Sequence, residues 1–135
     1  MQINFINQAS NTARIPRVVI LRAFKRAQKL FSRKIGNKSI GVVFVGRSES
    51  KNLNAKYRGK NRATNVLSFE LKEKNELGDI IICPSIARQE ALNLNIGFNE
   101  HIVYLFSHGL LHLLGYDHKT NKEDKKMEKL IQKII

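Results

Sequence analysis

The alternation of hydrophobic and polar positions divides the chain into strands and helices without internal repeats. Four apolar, β-branched runs predict strands, at Ile3 to Ile6, Ser39 to Val45, Val66 to Leu71 and Asp79 to Cys83. A polar connection that includes Asn75 and ends near Gly78 joins the last two strands. Helical spacing and start signals predict helices from Pro16 to about Phe31, Ser48 to about Tyr57, Pro84 to about Leu94, Asn99 to Leu114, and from Thr120 onwards. This order predicts a single α+β domain with a mixed sheet of about four strands packed against helices.

Capping residues suggest where several of these helices begin and end. Ser48 and Asn99 are predicted to cap two of the helices through their side chains. Thr120 and Glu123 are spaced as a capping box for the last helix. Gly115 suits the left-handed residue that ends the preceding helix. The last helix is then predicted to turn an apolar face inward, formed by Met127, Leu130, Ile131 and Ile134.

Length and cysteine content narrow the class of protein. A chain of 135 residues fits one small domain with one core. The longest apolar run, Ile102 to Leu114, is too short to span a bilayer and contains two histidines, so a central buried helix is expected. The lone Cys83 cannot form an intramolecular disulfide, and no signal-like segment opens the sequence. These features predict a soluble, cytoplasmic protein without a membrane partner.

Positive charge is concentrated in the N-terminal half. Residues 1–62 contain 15 lysines and arginines against one carboxylate, Glu49, whereas residues 63–135 contain nine against ten carboxylates. Such asymmetry favours a surface that binds a polyanion, because neutralised phosphates release condensed counterions. Nucleic acid is the favoured partner. The weaker alternative is a lipid surface, which the basic amphipathic segment from Arg17 to Phe31 would contact. The simplest interpretation is that the basic residues only form a solvated surface.

Three of the four histidines lie in HGLLHLLGYDH, residues 108–118. His108 and His112 are one helical turn apart, so both imidazoles project from one helix face. Gly115 breaks the helix and allows His118 to return toward the same point. The spacing matches the H-E-x-x-H-x-x-G-x-x-H pattern of metzincin peptidases, with Gly109 in place of the glutamate. The pattern predicts a zincin-like metal site on the central helix.

Three neutral imidazoles favour zinc with one open coordination position, which is typical of a catalytic metal. Nickel or copper could occupy the same ligands. Two other interpretations are core histidines satisfied by hydrogen bonds, and a closed structural site with Cys83 or Asp117 as fourth ligand. Asp117, beside His118, is alternatively predicted to orient an imidazole or to cap a turn.

The absence of a glutamate at position 109 affects the expected reaction. In the peptidases that residue is the general base, so a zinc peptidase would need its base from elsewhere. A phosphodiester hydrolase depends less on a strong general base than a peptidase does, since a cation can stabilise the charge of the pentacoordinate phosphate. Arg58, Lys60 and Arg62 lie in a polar loop and are candidates for binding phosphate. A non-enzymatic RNA-binding protein with structural zinc is the third possibility.

Three segments resemble the YbeY family of bacterial endoribonucleases and rRNA maturation factors. They are LNAKYRGKNRATNVLSF from Leu53 to Phe69, LGDIIIC from Leu77 to Cys83, and the histidine block. The resemblance implies a zinc-dependent, single-strand-specific endoribonuclease that matures the 3′ end of 16S rRNA in the small ribosomal subunit. It also implies ribosome quality control and contacts with ribosome-associated proteins.

The resemblance also implies roles for individual residues. His108, His112 and His118 match the family's three zinc ligands, and Arg58 matches its functionally important arginine. Family members commonly have aspartate where this chain has Asn65. A role that needs negative charge at position 65 is therefore not expected here, although an amide can still form hydrogen bonds.

Overall fold

Strands and helices alternate in the computed structural model, which describes residues 2–9 and 14–135. The strands are β1 (Ile3–Asn7), β2 (Ser39–Phe44), β3 (Val66–Glu73) and β4 (Glu76–Ile82). The helices are α1 (Arg17–Leu30), α2 (Ser32–Ile35), α3 (Arg47–Arg58), α4 (Pro84–Leu94), α5 (Phe98–Leu113) and α6 (Asn121–Ile134). The predicted single α+β domain with a four-stranded mixed sheet is confirmed.

The sheet has the strand order β1-β2-β4-β3. Strand β2 pairs in parallel with β1 and with β4, whereas β3 runs antiparallel to β4 in a hairpin. Alternate strand residues face the core because side chains alternate across a strand. On the inner face lie Ile3, Ile40, Val42, Phe44, Ile80 and Ile82, all buried. The parallel part of the sheet thereby supplies one wall of the core.

Helix α5 supplies the opposite wall of the core. Ten of its sixteen residues are buried, including Phe106, Leu110 and Leu111 with no exposed surface. A helix that is apolar nearly all round must be covered on several sides, and α5 packs against α1, α4, α6, β3 and β4. Met127, Ile131 and Ile134 of α6 are buried and Leu130 is half-buried, as their spacing predicts. The histidine helix is therefore held rigidly within the domain.

Two of the predicted helix caps are wrong. Helix α3 begins after Gly46 and helix α5 after Gly97, both with extended backbone and no side-chain cap. Ser48 and Asn99 lie inside the first turns instead. Gly46 and Gly97 have no side-chain oxygen, so neither helix start is fixed by a side-chain cap.

The other local signals agree better with the structure. Thr120 accepts a hydrogen bond from the backbone N–H of Glu123 at 3.1 Å and caps α6. Gly115, with φ +98°, follows the C-terminus of α5 as predicted. The polar connection between β3 and β4 is shorter than expected, since β4 already begins at Glu76 and Gly78 lies within it. Across the described residues, no helix is long and apolar enough to cross a membrane.

Candidate metal centre and cleft

The structure brings the three predicted histidines together at the C-terminal end of α5. The Nε2 atoms of His108 and His112 are 3.0 Å apart. One ring nitrogen from each of His108, His112 and His118 lies within 4.8 Å of the other two. Tetrahedral zinc with bonds of about 2.0–2.1 Å separates its ligand nitrogens by about 3.3 Å. Small side-chain adjustments would therefore allow the three imidazoles to hold one metal ion.

Burial favours the neutral, metal-binding form of the helical histidines. Burial lowers the pKa of His108 from 6.5 to about 4, with His112 and His118 as further causes. The pKa of His112 is also lowered, mainly by burial and then by His118. A metal binds the unprotonated imidazole. These two ligands are thus ready for a metal at neutral pH without first losing a proton.

A tight turn carries His118 back to the helix. After Gly115, the backbone N–H of Tyr116 donates to the carbonyl oxygen of Leu111 at 3.0 Å, which folds the loop against α5. Asp117 Oδ1 accepts the backbone N–H of His118 at 2.8 Å, and this hydrogen bond lowers the pKa of the carboxyl. Asp117 therefore fixes the backbone of the third histidine. That Asp117 also orients an imidazole ring stays a prediction.

The triad opens into a cleft between the end of α5, strand β3 and the loop that follows α3. The cleft has a volume of about 1140 Å³, and Arg58, Lys60, Arg62, Asp117 and the three histidines are among its lining residues. Four lysines and arginines line the cleft against the two carboxylates of Glu70 and Asp117, so its lining is basic on balance, and residues 66–70 of β3 form one side of it. Such a site suits an anionic ligand placed between cations and metal.

Arg58 is held in place although its side chain is exposed. Its Nη2 donates to the carbonyl oxygen of Ser68 at 2.7 Å, and its Cζ lies 5.3 Å from the ring centroid of Phe69. Ser68 is the hydrogen-bond partner of this guanidinium among the described residues, which leaves further N–H groups to contact a ligand. Because guanidinium can grip phosphate oxygens with two parallel hydrogen bonds, this placement fits a phosphate-binding role.

Two buried polar residues of α3 anchor the loop that carries the other cations. Ser50 Oγ donates to the carbonyl oxygen of Thr64 and accepts its N–H, both at 2.8 Å. Asn54 Nδ2 donates to the carbonyl oxygen of Arg62 at 2.9 Å. Sequence reasoning missed both residues. Polar residues at i and i+4 on the buried face of an otherwise hydrophilic helix were the available signal.

Gly109 shows why the peptidase glutamate is absent. A Cβ atom at this position would lie 3.0 Å from both Ile80 Cγ2 and Ser68 Oγ, closer than ordinary packing allows. Ser68 Oγ also donates to the carbonyl oxygen of Gly109 at 2.9 Å. The position faces the sheet, so a glutamate there would collide with β3 and β4. This packing counts against the peptidase interpretation.

The fourth histidine belongs to a separate, partly buried cluster that the sequence did not reveal. His101 is 5% exposed, and its Nε2 lies 2.9 Å from Glu90 Oε1. Asn65 Nδ2 lies 3.1 Å from each carboxylate oxygen of Glu90. The amide at position 65 can thus donate a hydrogen bond that an ionised aspartate could not. Asn65 here links the cleft loop to α4.

Cys83 is not part of the histidine cluster. Within the described residues, the group of side chains close enough to share a metal ion consists of the three histidines alone. Cys83 is buried before α4, where it packs as a small core residue. Three ligands with an open cleft in front of them match an accessible metal site better than a closed one.

The fold and the site define a class of small α+β proteins with a cluster of three histidines that could hold a metal ion in a basic cleft. The family model "Endoribonuclease YbeY" matches residues 5–135. The chain therefore belongs to the endoribonuclease YbeY family, as the sequence resemblance suggested.

Individual relatives agree with this assignment. An "Endoribonuclease YbeY" of Buchnera aphidicola subsp. Schizaphis graminum is 40% identical over 130 residues, covering 93% of this chain and 81% of the relative. The protein of that name from Thermotoga maritima is 35% identical over 109 residues, which cover 81% of this chain and 71% of the relative. The solution structure of TM1509 from Thermotoga maritima has a TM-score of 0.63 at 26% identity and covers 97% of this chain and 89% of that one.

Proposed function

We propose that this protein is a zinc-dependent, single-strand-specific endoribonuclease that matures the 3′ end of 16S rRNA and takes part in ribosome quality control. One observation carries the proposal: the three histidines and Arg58 line the same open cleft. The endoribonuclease name of the relatives supports the RNA substrate. The cytoplasm, where ribosomes assemble, is the proposed compartment, and ribosome-associated proteins are the proposed partners.

The proposed roles follow from the chemistry of each side chain. His108, His112 and His118 would hold one zinc ion, which as a bound Lewis acid supplies hydroxide at neutral pH by lowering the pKa of water to about 7. Arg58 holds the scissile phosphate, because its guanidinium is fixed by Ser68 and its planar, positively charged fork matches two phosphate oxygens. Zinc is favoured since three imidazoles are a common catalytic zinc set.

The neighbouring cations would bind the RNA backbone on either side of the bond that is cut. Lys60 and Arg62 lie on the loop after α3 and line the cleft beside Arg58. Asn54 fixes the carbonyl group of Arg62, so the loop presents its cations at a constant position. Phosphate contacts of this kind position a strand without reading its sequence.

Two substitutions test the division of labour between metal ligands and phosphate ligand. His112→Ala should lose both zinc and RNA cleavage, whereas Arg58→Glu should keep about one zinc per chain and lose cleavage. Elemental analysis and cleavage of single-stranded RNA measure the two properties. Lys133→Glu, which reverses an exposed charge on α6, is the matched control and should leave both zinc content and cleavage unchanged. Equal cleavage by metal-free His112→Ala protein would refute the proposal.

A further inference from the structure

Two lysines from different helices converge on one aromatic ring beside the candidate metal centre. Lys34 Nζ of α2 lies 4.6 Å from the ring centroid of Tyr116, and Lys126 Nζ of α6 lies 5.6 Å from it. Tyr116 is two residues before His118, and Phe31 packs on the same ring at 5.8 Å. The ends of α1 and α2 therefore meet the loop that carries the third histidine.

Neither lysine forms an ion pair within 4.0 Å among the described residues; Lys34 shares a surface hollow with Glu70, Glu73 and Glu76. The ion pairs found there join His101 to Glu90 and Lys119 to Asp117, and neither includes Lys34 or Lys126. Like charges that converge repel one another, and an aromatic face offsets only part of that cost. An anion placed between the two ammonium groups would remove the repulsion.

Further cations continue from this point along α2 and α1. The segment from Arg14 to Lys38 contains nine lysines and arginines and no carboxylate. On α1 the buried side is formed by Ile20, Ala23, Phe24 and Ala27. Arg22, Lys25 and Lys29 are exposed at spacings of three and four residues, so they form one stripe away from the core. Packing of α1 on α5 holds the stripe in place.

We propose that Lys34 and Lys126, which both contact the ring of Tyr116, together bind a backbone phosphate of the RNA outside the cleft, and that the strand continues over the stripe of α1. This proposal rests on the proposed RNA-directed function and extends it: the substrate is a strand longer than the cleft, held at two places. RNA is favoured over a lipid surface because the lysine pair lies against Tyr116 on the loop that leads to His118 and so adjoins the cleft. Val18 and Leu30 of α1 are exposed apolar residues, so anionic vesicles form part of the test.

The test compares the zinc-loaded wild type with the double variant Lys34→Gln, Lys126→Gln. Uncut single-stranded DNA probes of about six and about 24 nucleotides carry the same backbone phosphates and report binding by fluorescence anisotropy. Binding is measured between about 50 and 200 mM salt, where the slope of log K against log salt counts phosphate contacts. The double variant should lower the slope for the long probe by about 0.7, since it removes one phosphate contact and each contact on a single strand contributes about 0.7. The short probe should bind unchanged.

A matched control removes the same charge from the same side of the protein. Lys129→Gln, Lys133→Gln alters two exposed lysines of α6 that do not contact Tyr116 and should leave both slopes unchanged. Circular dichroism shows whether each variant folds like the wild type. Equal slopes for the double variant and the wild type, or an equal loss in the control, would overturn the proposal.

RNA cleavage is followed separately, so the two proposals fail in different ways. Wild-type protein that never cuts RNA would refute the endoribonuclease function, while the length-dependent slope would still support the phosphate site. Normal RNA cleavage with no effect of the lysine pair on the slope would refute the phosphate site alone. Anionic vesicles that bind the wild type more tightly than the long probe, through the same two lysines, would also overturn it.

Discussion

Replacing Gly109 with alanine should loosen the packing of α5 against the sheet. The added Cβ would lie 3.0 Å from Ile80 Cγ2, 3.0 Å from Ser68 Oγ and 3.4 Å from Val66 Cγ2. Carbon atoms in ordinary contact are about 3.5–4.0 Å apart, so Ile80 and Ser68 must move by a few tenths of an ångström. Both strands that meet the new methyl group are tied into the sheet, which limits this movement.

The expected cost is about 2 kcal/mol of the free energy of unfolding. Overpacking a tight site costs about 1–3 kcal/mol. Displacing Ser68 weakens its 2.9 Å hydrogen bond to the carbonyl oxygen of Gly109, which contributes about 1 kcal/mol. Alanine in a helix interior returns about 1 kcal/mol relative to glycine. Destabilisation therefore exceeds the gain in helix propensity.

Urea unfolding of the metal-free protein measures this difference. With a slope of about 2 kcal/mol/M, Gly109→Ala should lower the midpoint by about 1 M. Gly46→Ala is the control, because a Cβ there meets nothing within 4 Å; its free energy of unfolding should change by less than about 1 kcal/mol. If Gly109→Ala were as stable as the wild type, the gain in helix propensity would equal the steric cost, and the strands would move aside easily. The steric explanation for the missing peptidase glutamate would then be wrong.

Three further predictions concern a cap, a buried pair and a titrating ligand. Thr120→Ala should cost about 1 kcal/mol in thermal unfolding, because α6 loses its capping oxygen, and Thr120→Ser should restore it. Glu90→Leu leaves buried His101 without its partner and should cost about 2 kcal/mol in urea unfolding, whereas Glu90→Gln should cost less. The metal-free protein should lose stability as pH falls from about 6.5 to about 4, because the unfolded chain takes up a proton that His108 resists. The urea midpoint of His108→Gln should therefore depend less on pH than that of the wild type. An equal pH dependence in the two proteins would show that His108 is not the cause.

Local patterns predicted most of the elements but not all of their ends. Strands and helices follow from apolar spacing, since each is formed by neighbours along the chain. The starts of α3 and α5 were misplaced because Ser48 and Asn99 looked like caps, while Gly46 and Gly97 begin these helices with backbone conformation alone. The start of β4 was misplaced because Glu76 is exposed and polar, yet it pairs with Glu73 across the hairpin.

The same distinction explains what could be predicted of the site. Two metal-binding candidates on one helix turn and a third after a glycine are neighbours in sequence, so their spacing reveals them. Arg58 meets them only because β3 lies between α3 and α5, and the bond from its guanidinium to Ser68 depends on that arrangement. The link from Asn65 to Glu90 joins residues 25 positions apart. Contacts of this kind carry no periodic signal.

Burial of α5 links the stability of the fold to the chemistry proposed for the cleft. The helix must be apolar nearly all round to complete the core, so His108 and His112 emerge only at its C-terminal end, where the cleft begins. The surroundings that bury His108 also lower its pKa and keep the imidazole neutral for a metal. Gly109 lets the helix approach β3 closely enough for Ser68 to bond its backbone, and Ser68 in turn holds Arg58. One tight helix–strand contact therefore sets the distance between the candidate metal ligands and the cation expected to hold the phosphate.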